Sequence, residues 1–105
     1  MIKHKFHAKQ TVLDNIRFQS KKEANYYLRL KALKAEGKIL FFLRQTSLHL
    51  DGNTKYVVDF VEFWAPTDSN QGDVIFTDVK GFMTPMARLK ITQSESRYNI
   101  KINIV

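Results

Sequence analysis

The chain has 105 residues, of which 44% are hydrophobic and 26% charged, so one domain with a modest core is expected and a disordered chain is excluded. It contains no Cys, which excludes disulfides and a thiolate-bound metal, and its longest apolar run, Ile39 to Leu43, is too short for a secretory h-region or a membrane span. The formal net charge of +7 favours a polyanionic partner, and the whole sequence predicts a single cytoplasmic domain over residues 1–105.

Residues 1–19 form a basic lead-in, and most of the positive charge lies in the first half of the chain. Residues 1–44 hold 11 Lys and Arg against 3 Asp and Glu, whereas residues 45–105 hold 6 against 7. Clustered Lys and Arg attract polyanions because their phosphate contacts release condensed counterions. The asymmetry therefore indicates a nucleic-acid partner, with a merely solubilising basic surface as the alternative.

The first helix and the first two strands are predicted to follow this lead-in. A helix over 20–36 is expected because Ser20 is a good N-cap, good helix formers follow it, and Gly37 supplies a C-terminal stop. Aromatic and β-branched residues then predict strands over 40–50 and 55–64, with a glycine-containing turn between them.

The second half is predicted to add a third strand, a helix and a last strand. The third strand covers Asp73 to Lys80, and the short polar segment before it favours an antiparallel hairpin with the preceding strand. Thr84 is the expected N-cap of a helix that begins at Pro85 and runs to about Arg97. Isoleucines that alternate with polar residues from Ile100 onward predict the final strand. The order αβββαβ indicates an α/β fold whose mixed, mainly antiparallel sheet is flanked by helices.

Two acidic residues and a lysine are predicted to lie on apolar strand faces. Because side chains alternate along a strand, Asp59 is expected to share a face with Val61 and Phe63, and Asp78 to share one with Lys80. If the hairpin strands end symmetrically about their loop, Asp59 lies opposite Asp78 with Cβ atoms ~5 Å apart, where two carboxylates repel unless a cation lies between them. Mg²⁺ prefers such oxygen ligands, and Mn²⁺ is an expected substitute.

Each of these acidic residues also has a purely structural interpretation. Glu23 falls on the helix stripe that faces the sheet, but Ser20 and Glu23 also have the spacing of a capping box, in which the acid only accepts a backbone hydrogen bond. For Asp59 the alternative is an edge-strand acid satisfied by its neighbours. For Asp78 and Lys80 it is a surface ion pair.

The sequence suggests few other metal sites or catalytic groups. His4, His7 and His49 could join one zinc site, but the first two lie in the lead-in and no fourth ligand suggests itself, so zinc is not expected. Lys80 beside a metal-bound phosphate would instead offset the charge of a transition state. The constellation is typical of phosphodiester hydrolysis.

The same residues resemble the PD-(D/E)XK nuclease superfamily, and especially its small phage-encoded endonuclease-like domains, related to Holliday-junction resolvases and very-short-patch repair endonucleases. The likeness covers about Lys9 to Val105. It rests on four elements in order, followed by Thr84 and Lys90: residues 17–23 at the start of the first helix, Gln45, Val58-Asp59-Phe60 in place of the Pro-Asp signature, and Asp78-Val79-Lys80-Gly81 in place of (D/E)-x-K. The chain departs from the pattern in having Val58 where the family has Pro, and Asp rather than Glu at position 78.

The resemblance implies a restriction-endonuclease-like core and a Mg²⁺-dependent endodeoxyribonuclease, with branched or recombination-intermediate DNA as one substrate class. It makes Glu23 a metal ligand beside Asp59, Asp78 and the Val79 carbonyl, and it places Lys80 at the attacked phosphate. Phosphate contacts are expected from four basic residues: Lys21, Lys22, Arg88 and Lys90. By analogy with the resolvases a homodimer is expected, in the host cytoplasm if the protein is phage-encoded.

Two other classes of protein fit the same composition. One is a basic accessory protein that keeps the nuclease fold and binds DNA without cutting it. The other is an interaction or structural protein with incidental basicity, which would show no salt-dependent DNA binding.

Overall fold

The structure is a computed structural model that describes residues 10–105. In this part of the chain eight elements follow in the order ββαβββαβ: β1 (Thr11–Leu13), β2 (Ile16–Phe18), α1 (Lys21–Ala35), β3 (Ile39–Leu50), β4 (Thr54–Trp64), β5 (Val74–Asp78), α2 (Pro85–Tyr98) and β6 (Ile102–Ile104). Neither helix is long and apolar enough to cross a membrane.

Four strands form the main sheet in the order β3-β4-β5-β6. The β3–β4 and β4–β5 pairs are antiparallel, and the β5–β6 pair, which α2 connects, is parallel. The predicted α/β fold with a mixed, mainly antiparallel sheet is therefore confirmed, and the predicted core order αβββαβ follows the first two strands.

The basic lead-in contains a β-hairpin that the sequence analysis missed. Strands β1 and β2 pair through Leu13 and Ile16, and the two turn residues between them, Asp14 and Asn15, both have positive φ, 51° and 62°. A two-residue hairpin turn of type I′ needs this conformation, and Asp and Asn adopt it more readily than other residues with a side chain. The Asp14-Asn15 pair is itself a turn signal, but the basic composition of residues 1–19 outweighed it in the prediction.

Both predicted helix starts are confirmed. The Ser20 side chain accepts a hydrogen bond from the Glu23 N–H at 3.1 Å, and the Thr84 side chain accepts one from the Ala87 N–H at 3.0 Å. These bonds satisfy backbone donors that have no partner within the helix. Gly37 follows α1 with a φ of 80°, which is the left-handed conformation of a helix C-terminus.

The helices cover opposite faces of the sheet, with a hydrophobic cluster under each. Helix α1 packs on a cluster that includes Phe60, whereas Ile91 of α2 packs on a cluster to which Phe76 adds. In the β4–β5 ladder Phe60 pairs with Thr77 and Phe76 pairs with Val61, so the two phenylalanines lie in successive rows and point to opposite faces.

Strand β4 changes the face of its side chains at Asp59. Val58 belongs to the α2 cluster and Phe60 to the α1 cluster, although regular alternation would place both on one face. Gln45, which stands across from Asp59 on β3, has a positive φ of 51°, and the ladder is interrupted there. The prediction that Asp59 shares a buried face with Val61 is therefore wrong, because alternation does not continue through Asp59.

Candidate active-site cleft

Asp59 and Asp78 lie side by side where the β4–β5 ladder opens. The predicted register is confirmed: the Trp64 N–H donates to the Asp73 carbonyl at 2.9 Å, and the ladder continues in that register to Phe60 and Thr77. At the next position the Asp59 N–H donates to Asp78 Oδ1 at 3.3 Å. The open end of the hairpin thus brings the two carboxylates together, as the register requires.

Asp59 is held by a backbone and a side-chain donor. The Val79 N–H donates to its Oδ2 atom at 2.8 Å, and the Gln45 side-chain amide donates to its Oδ1 atom at 3.2 Å. An ionised carboxylate offers about four acceptor sites, so both oxygens retain lone pairs for a further partner. The bond from Val79 also shows that Asp59 has a structural function in closing the strand end.

Asp78 is buried, and its bonds differ from those of Asp59. Its Oδ2 atom accepts hydrogen bonds from the Tyr56 hydroxyl and from the Lys80 ammonium, the latter at 2.9 Å. Only 2% of the Asp78 side chain is exposed, against 23% of Lys80, so the pair is a partly buried one and not a surface ion pair. The residue after β6 stabilises the segment that follows β5, because the Lys80 N–H donates to the Val105 carbonyl at 3.0 Å.

Glu23 completes the acidic group from the side of α1. The residue is 4% exposed, and its carboxylate accepts a hydrogen bond from the Gln45 side-chain amide at 3.1 Å. The same amide nitrogen donates to Asp59, so one neutral side chain links the two acids. The Glu23 N–H donates to the Ser20 side chain, whereas its carboxylate contacts the Gln45 amide and also a backbone group of Gln19 at the start of the helix.

The acidic group is electrostatically crowded. Burial raises the pKa of Glu23, and the negative charge of Asp59, with a smaller effect of Asp78, raises it further, whereas the nearby Arg44 opposes the shift. The Arg44 guanidinium lies over the Phe18 ring at 4.7 Å, and within residues 10–105 its buried Nε atom has no hydrogen-bond partner. Crowded acids of this kind favour the binding of a cation.

Glu23, Asp59 and Asp78 line one cleft of about 700 Å³. Lys22 from α1 contributes a second cation to its wall and donates to the Lys80 carbonyl at 3.0 Å. The full lining comprises Gln10, Gln19, Ser20, Lys22, Glu23, Val57, Asp59, Asp78, Val79, Lys80 and Gly81. All four predicted catalytic residues, Glu23, Asp59, Asp78 and Lys80, are therefore brought to the same cleft, together with Val79.

The arrangement presents carboxylates in pairs. Within residues 10–105 no group of three or more His, Cys, Asp or Glu side chains is placed to hold a metal ion. Glu23 and Asp59 are linked through Gln45, and Asp59 and Asp78 through a backbone amide. Because Mg²⁺ commonly takes one or two carboxylates and completes its octahedron with water and substrate phosphate, such pairs fit Mg²⁺ better than a metal that needs a closed protein cage.

The other predicted residues are spread more widely. Lys21, Lys22 and Arg88 are exposed, and Lys90, which is half-buried, lines a second groove beside α2. Of the histidines considered for zinc, His49 is exposed on β3, and His4 and His7 lie outside the described residues.

Gln45 and Tyr56 are the contributors to the cleft that sequence reasoning missed. Gln45 is one element of the nuclease likeness, but no contact is predicted for it, and its side chain bonds two of the acids. Tyr56 reads as an ordinary core residue, and its hydroxyl bonds Asp78. A glutamine in the middle of a long strand, at the position across from Asp59, was the available signal for the first; the sequence holds none for the second.

The fold and the cleft together define a small α/β domain with an acidic cleft at the open end of a β-hairpin. Residues 3–105 match the family described as "Protein of unknown function (DUF1064)", and the chain belongs to this family. Comparisons with curated proteins and with solved structures give no significant match. The family description names no activity, so any function has to be argued from the cleft.

Proposed function

We propose that the protein is a Mg²⁺-dependent endodeoxyribonuclease of the PD-(D/E)XK kind and that the acidic cleft is its active site. The observation that carries the proposal is the meeting of Glu23, Asp59, Asp78 and Lys80 in one cleft. Glu23 comes from α1, Asp59 from β4 and Asp78 from the end of β5, and Lys80 follows β5, which ends two residues earlier than the predicted strand. The pKa of Glu23 is raised by burial and by Asp59. Acidic groups held together against their own repulsion in a cleft are typical of a catalytic site.

The protein's own residues prepare the site in distinct ways. Gln45 holds Glu23 and Asp59 side by side through one amide, and the Val79 N–H fixes the orientation of Asp59. Tyr56 and Lys80 together fix the orientation of Asp78. Such contacts restrict each carboxylate to one rotamer, which is what a ligand or a catalytic group requires.

When bound by these carboxylates, Mg²⁺ would polarise the phosphate and lower the pKa of the attacking water. Glu23, Asp59, Asp78 and the Val79 carbonyl are the proposed ligands, with Glu23 acting directly or through water. The Lys80 ammonium lines the cleft and stands 2.9 Å from Asp78, so it is placed to offset the negative charge that develops on the phosphoryl oxygens. Hydrolysis then adds water across one P–O bond and leaves a phosphomonoester and a free hydroxyl group.

Contacts to the DNA backbone are proposed for the basic residues around the cleft. Lys22 lines the cleft itself, and Lys21 is exposed next to it at the start of α1. Arg88 and Lys90 lie on α2. A homodimer that acts on two strands, and branched DNA as the substrate, remain predictions that rest on the likeness to the resolvases.

One specific observation favours DNA binding without catalysis. Asp78 is already paired with Lys80 and bonded to Tyr56, and Asp59 is bonded to Val79, so these acids are satisfied without an ion. In that case the cleft acids would only stabilise the open end of the β4–β5 hairpin. The two functions differ in whether the DNA is cut when Mg²⁺ is present.

The deciding experiment is the incubation of the protein with supercoiled plasmid and with a four-way junction, in Mg²⁺ and in EDTA. We expect nicked or linear products in Mg²⁺ and none in EDTA. An Asp78→Asn protein purified in the same way controls for contaminating nucleases. Salt-dependent DNA binding with intact DNA in Mg²⁺ would instead establish the non-catalytic function.

A further inference from the structure

A second groove continues from the acidic cleft along the side of the sheet. Val57 lines both the cleft and this groove, and the Tyr56 side chain, whose hydroxyl bonds Asp78, forms part of the groove wall. Lys55 and Lys90 also line the groove, from β4 and α2. A path with basic side chains therefore leads away from the acids, and its two lysines, Lys55 and Lys90, are not part of the proposed catalytic machinery.

A group of exposed apolar residues lies in the segment that joins the cleft to this groove, since Gly81 lines the cleft and Thr84 lines the groove. Phe82 is 79% exposed in the loop that joins β5 to α2, and Met86 and Leu89 on the first turns of α2 are 60% and 50% exposed. Met86 lines the groove together with Val57. Exposed apolar residues also cluster at Leu40, Phe41 and Leu43 on β3. The group with Phe82 differs because Phe82 is the most exposed of them and Met86 lines a groove with two lysines, which together indicate a binding surface.

The loop that carries Phe82 is fixed at both ends. On one side the Lys80 N–H donates to the Val105 carbonyl and the Lys80 carbonyl accepts from Lys22. On the other side Met83 packs against the α2 cluster. The chain therefore holds the Phe82 ring toward solvent while its neighbours are anchored, and Phe82 follows Lys80 by only two residues, at most about 7 Å along the backbone.

We propose that this groove, with Phe82 as a stacking platform, binds an unpaired stretch of DNA next to the phosphate that is cut. Lys55 and Lys90 contact its phosphates, and a free base stacks on the Phe82 ring. The inference rests on the proposed nuclease function, and it deepens that function by naming the substrate class: DNA with single-stranded nucleotides beside the scissile position, such as a fork or a flap.

The chemistry of the groove favours an unpaired strand over two other occupants. In a duplex both faces of each base are covered by its neighbours, so an exposed ring finds a free base face only on an unpaired nucleotide. A second copy of this chain carries the same lysines, so apposing two such grooves would bring like charges together. A polyanion that also offers flat apolar surfaces satisfies both the lysines and the ring.

The test measures DNA binding in EDTA, so that it does not depend on cleavage. Fluorescence anisotropy compares a duplex with the same duplex extended by two splayed single-stranded arms, for the wild-type protein and for Phe82→Ala, Phe82→Tyr and Leu40→Ala. Leu40 is the matched control, because it is 56% exposed and lies at the far end of β3 from the groove. Melting temperatures of these four proteins, and of Lys55→Ala, which tests the phosphate contacts, establish that each is folded.

We expect the wild type to bind the forked DNA more tightly than the duplex. Phe82→Ala should weaken binding to the fork at least ~5-fold, with an unchanged salt dependence, because stacking on a base releases no counterions. Phe82→Tyr and Leu40→Ala should bind as the wild type does. Lys55→Ala should lower the salt slope by up to ~0.7 for a lost single-strand phosphate contact.

Three results would overturn the proposal: equal affinity of the wild type for fork and duplex, no loss in Phe82→Ala, or an equal loss in Leu40→Ala. If sedimentation shows a wild-type dimer that Phe82→Ala converts to a monomer, the patch is an interface between copies and the proposal also fails. A fork preference that depends on Phe82, in a protein that cuts no DNA in Mg²⁺, would refute the nuclease function and leave the single-strand groove standing.

Discussion

Two buried acidic regions on the same sheet are satisfied in different ways. Glu62 lies three positions beyond Asp59 on β4 and is 1% exposed. Its two carboxylate oxygens each accept a hydrogen bond from a neutral donor, the Tyr26 hydroxyl at 2.6 Å and the Trp64 indole at 2.9 Å. Burial and the bond to Glu62 raise the pKa of Tyr26 to about 12, so its hydroxyl remains a donor. Glu62 lines no part of the acidic cleft.

Glu23 contrasts with Glu62 in both respects, because it lines the acidic cleft and its side-chain donor is shared with a second acid. Glu23 shares its Gln45 donor with Asp59, and its pKa is raised by burial and by that neighbouring charge. A buried carboxylate with a donor on each oxygen stabilises the fold. Asp59 and Asp78 also have a donor on each oxygen, but together with Glu23 they place three carboxylates on the wall of one cleft. This crowding is why we assign function to the cleft and structure to Glu62.

The largest effect on cleavage is expected from Asp59→Asn. The asparagine carbonyl can still accept from the Val79 N–H, so the fold should persist, while a charged ligand is lost. We expect Mg²⁺-dependent plasmid cleavage to fall at least ~100-fold. Asp51→Asn is the matched control, because the Asp51 side chain is 93% exposed. Full activity in Asp59→Asn would remove Asp59 from the site.

Glu23→Gln separates capping from ligation. The Ser20 cap bonds the backbone of residue 23 and survives the change, so a cap alone predicts wild-type rates. We expect cleavage about 10-fold lower and partly restored at high Mg²⁺, the size expected when one positioned ligand is lost. Glu36→Gln, at the exposed end of the same helix, is the control.

Glu23→Gln is also expected to change how the stability of the folded protein depends on pH. Because the pKa of Glu23 is raised in the folded protein, folding is favoured when the group is protonated and loses free energy as pH rises from the ordinary pKa of a glutamate through the folded value. Glu23→Gln should therefore be more stable than the wild type without metal at neutral pH, and the difference should vanish in acid. Thermal melts in EDTA from about pH 4 to about pH 8 measure it.

A smaller effect, on DNA binding, is expected when the two lysines at the start of α1 are replaced. Lys21→Ala with Lys22→Ala should weaken duplex binding and lower the salt slope by up to ~0.9 for each lost phosphate contact, with Mg²⁺ affinity little changed. Lys34→Ala, in the last turn of the same helix, is the control. An unchanged salt slope would place the DNA elsewhere.

The smallest effect on activity is expected at Glu62. Glu62→Gln directs an amide group at Tyr26 or Trp64, both of which are donors, so one hydrogen bond is lost in a buried place. Unfolding free energy should fall by ~1–3 kcal/mol, as measured by urea denaturation, with cleavage per folded molecule unchanged. If cleavage falls as it does in Asp59→Asn, the division between the two acidic regions does not hold.

Local signals in the sequence were enough to predict both helices, the strands of the main sheet and the β4–β5 register, but not the β1–β2 hairpin. The caps at Ser20 and Thr84 and the symmetric hairpin ends at Trp64 and Asp73 depend on neighbouring residues alone, and all of them are confirmed. The register alone placed Asp59 beside Asp78.

The details that shape the cleft depend on contacts between distant parts of the chain. The change of face at Asp59 goes with the left-handed backbone of Gln45 on another strand, which no pattern within β4 encodes. The bond from Tyr56 to Asp78 and the exposure of Phe82 likewise arise only when the chain has packed. Periodicity therefore located the acids but could not show what holds them.

The most direct test of the central claim is the effect of Mg²⁺ on thermal stability. If the cleft acids bind the ion in the folded state alone, the wild type should gain about 2.7 kcal/mol at a Mg²⁺ concentration 100 times its Kd. Glu62→Gln should show the same gain, and Asp59→Asn little or none. A wild-type melting temperature that does not respond to Mg²⁺, or an equal rise in Asp59→Asn, would contradict a metal site at these acids.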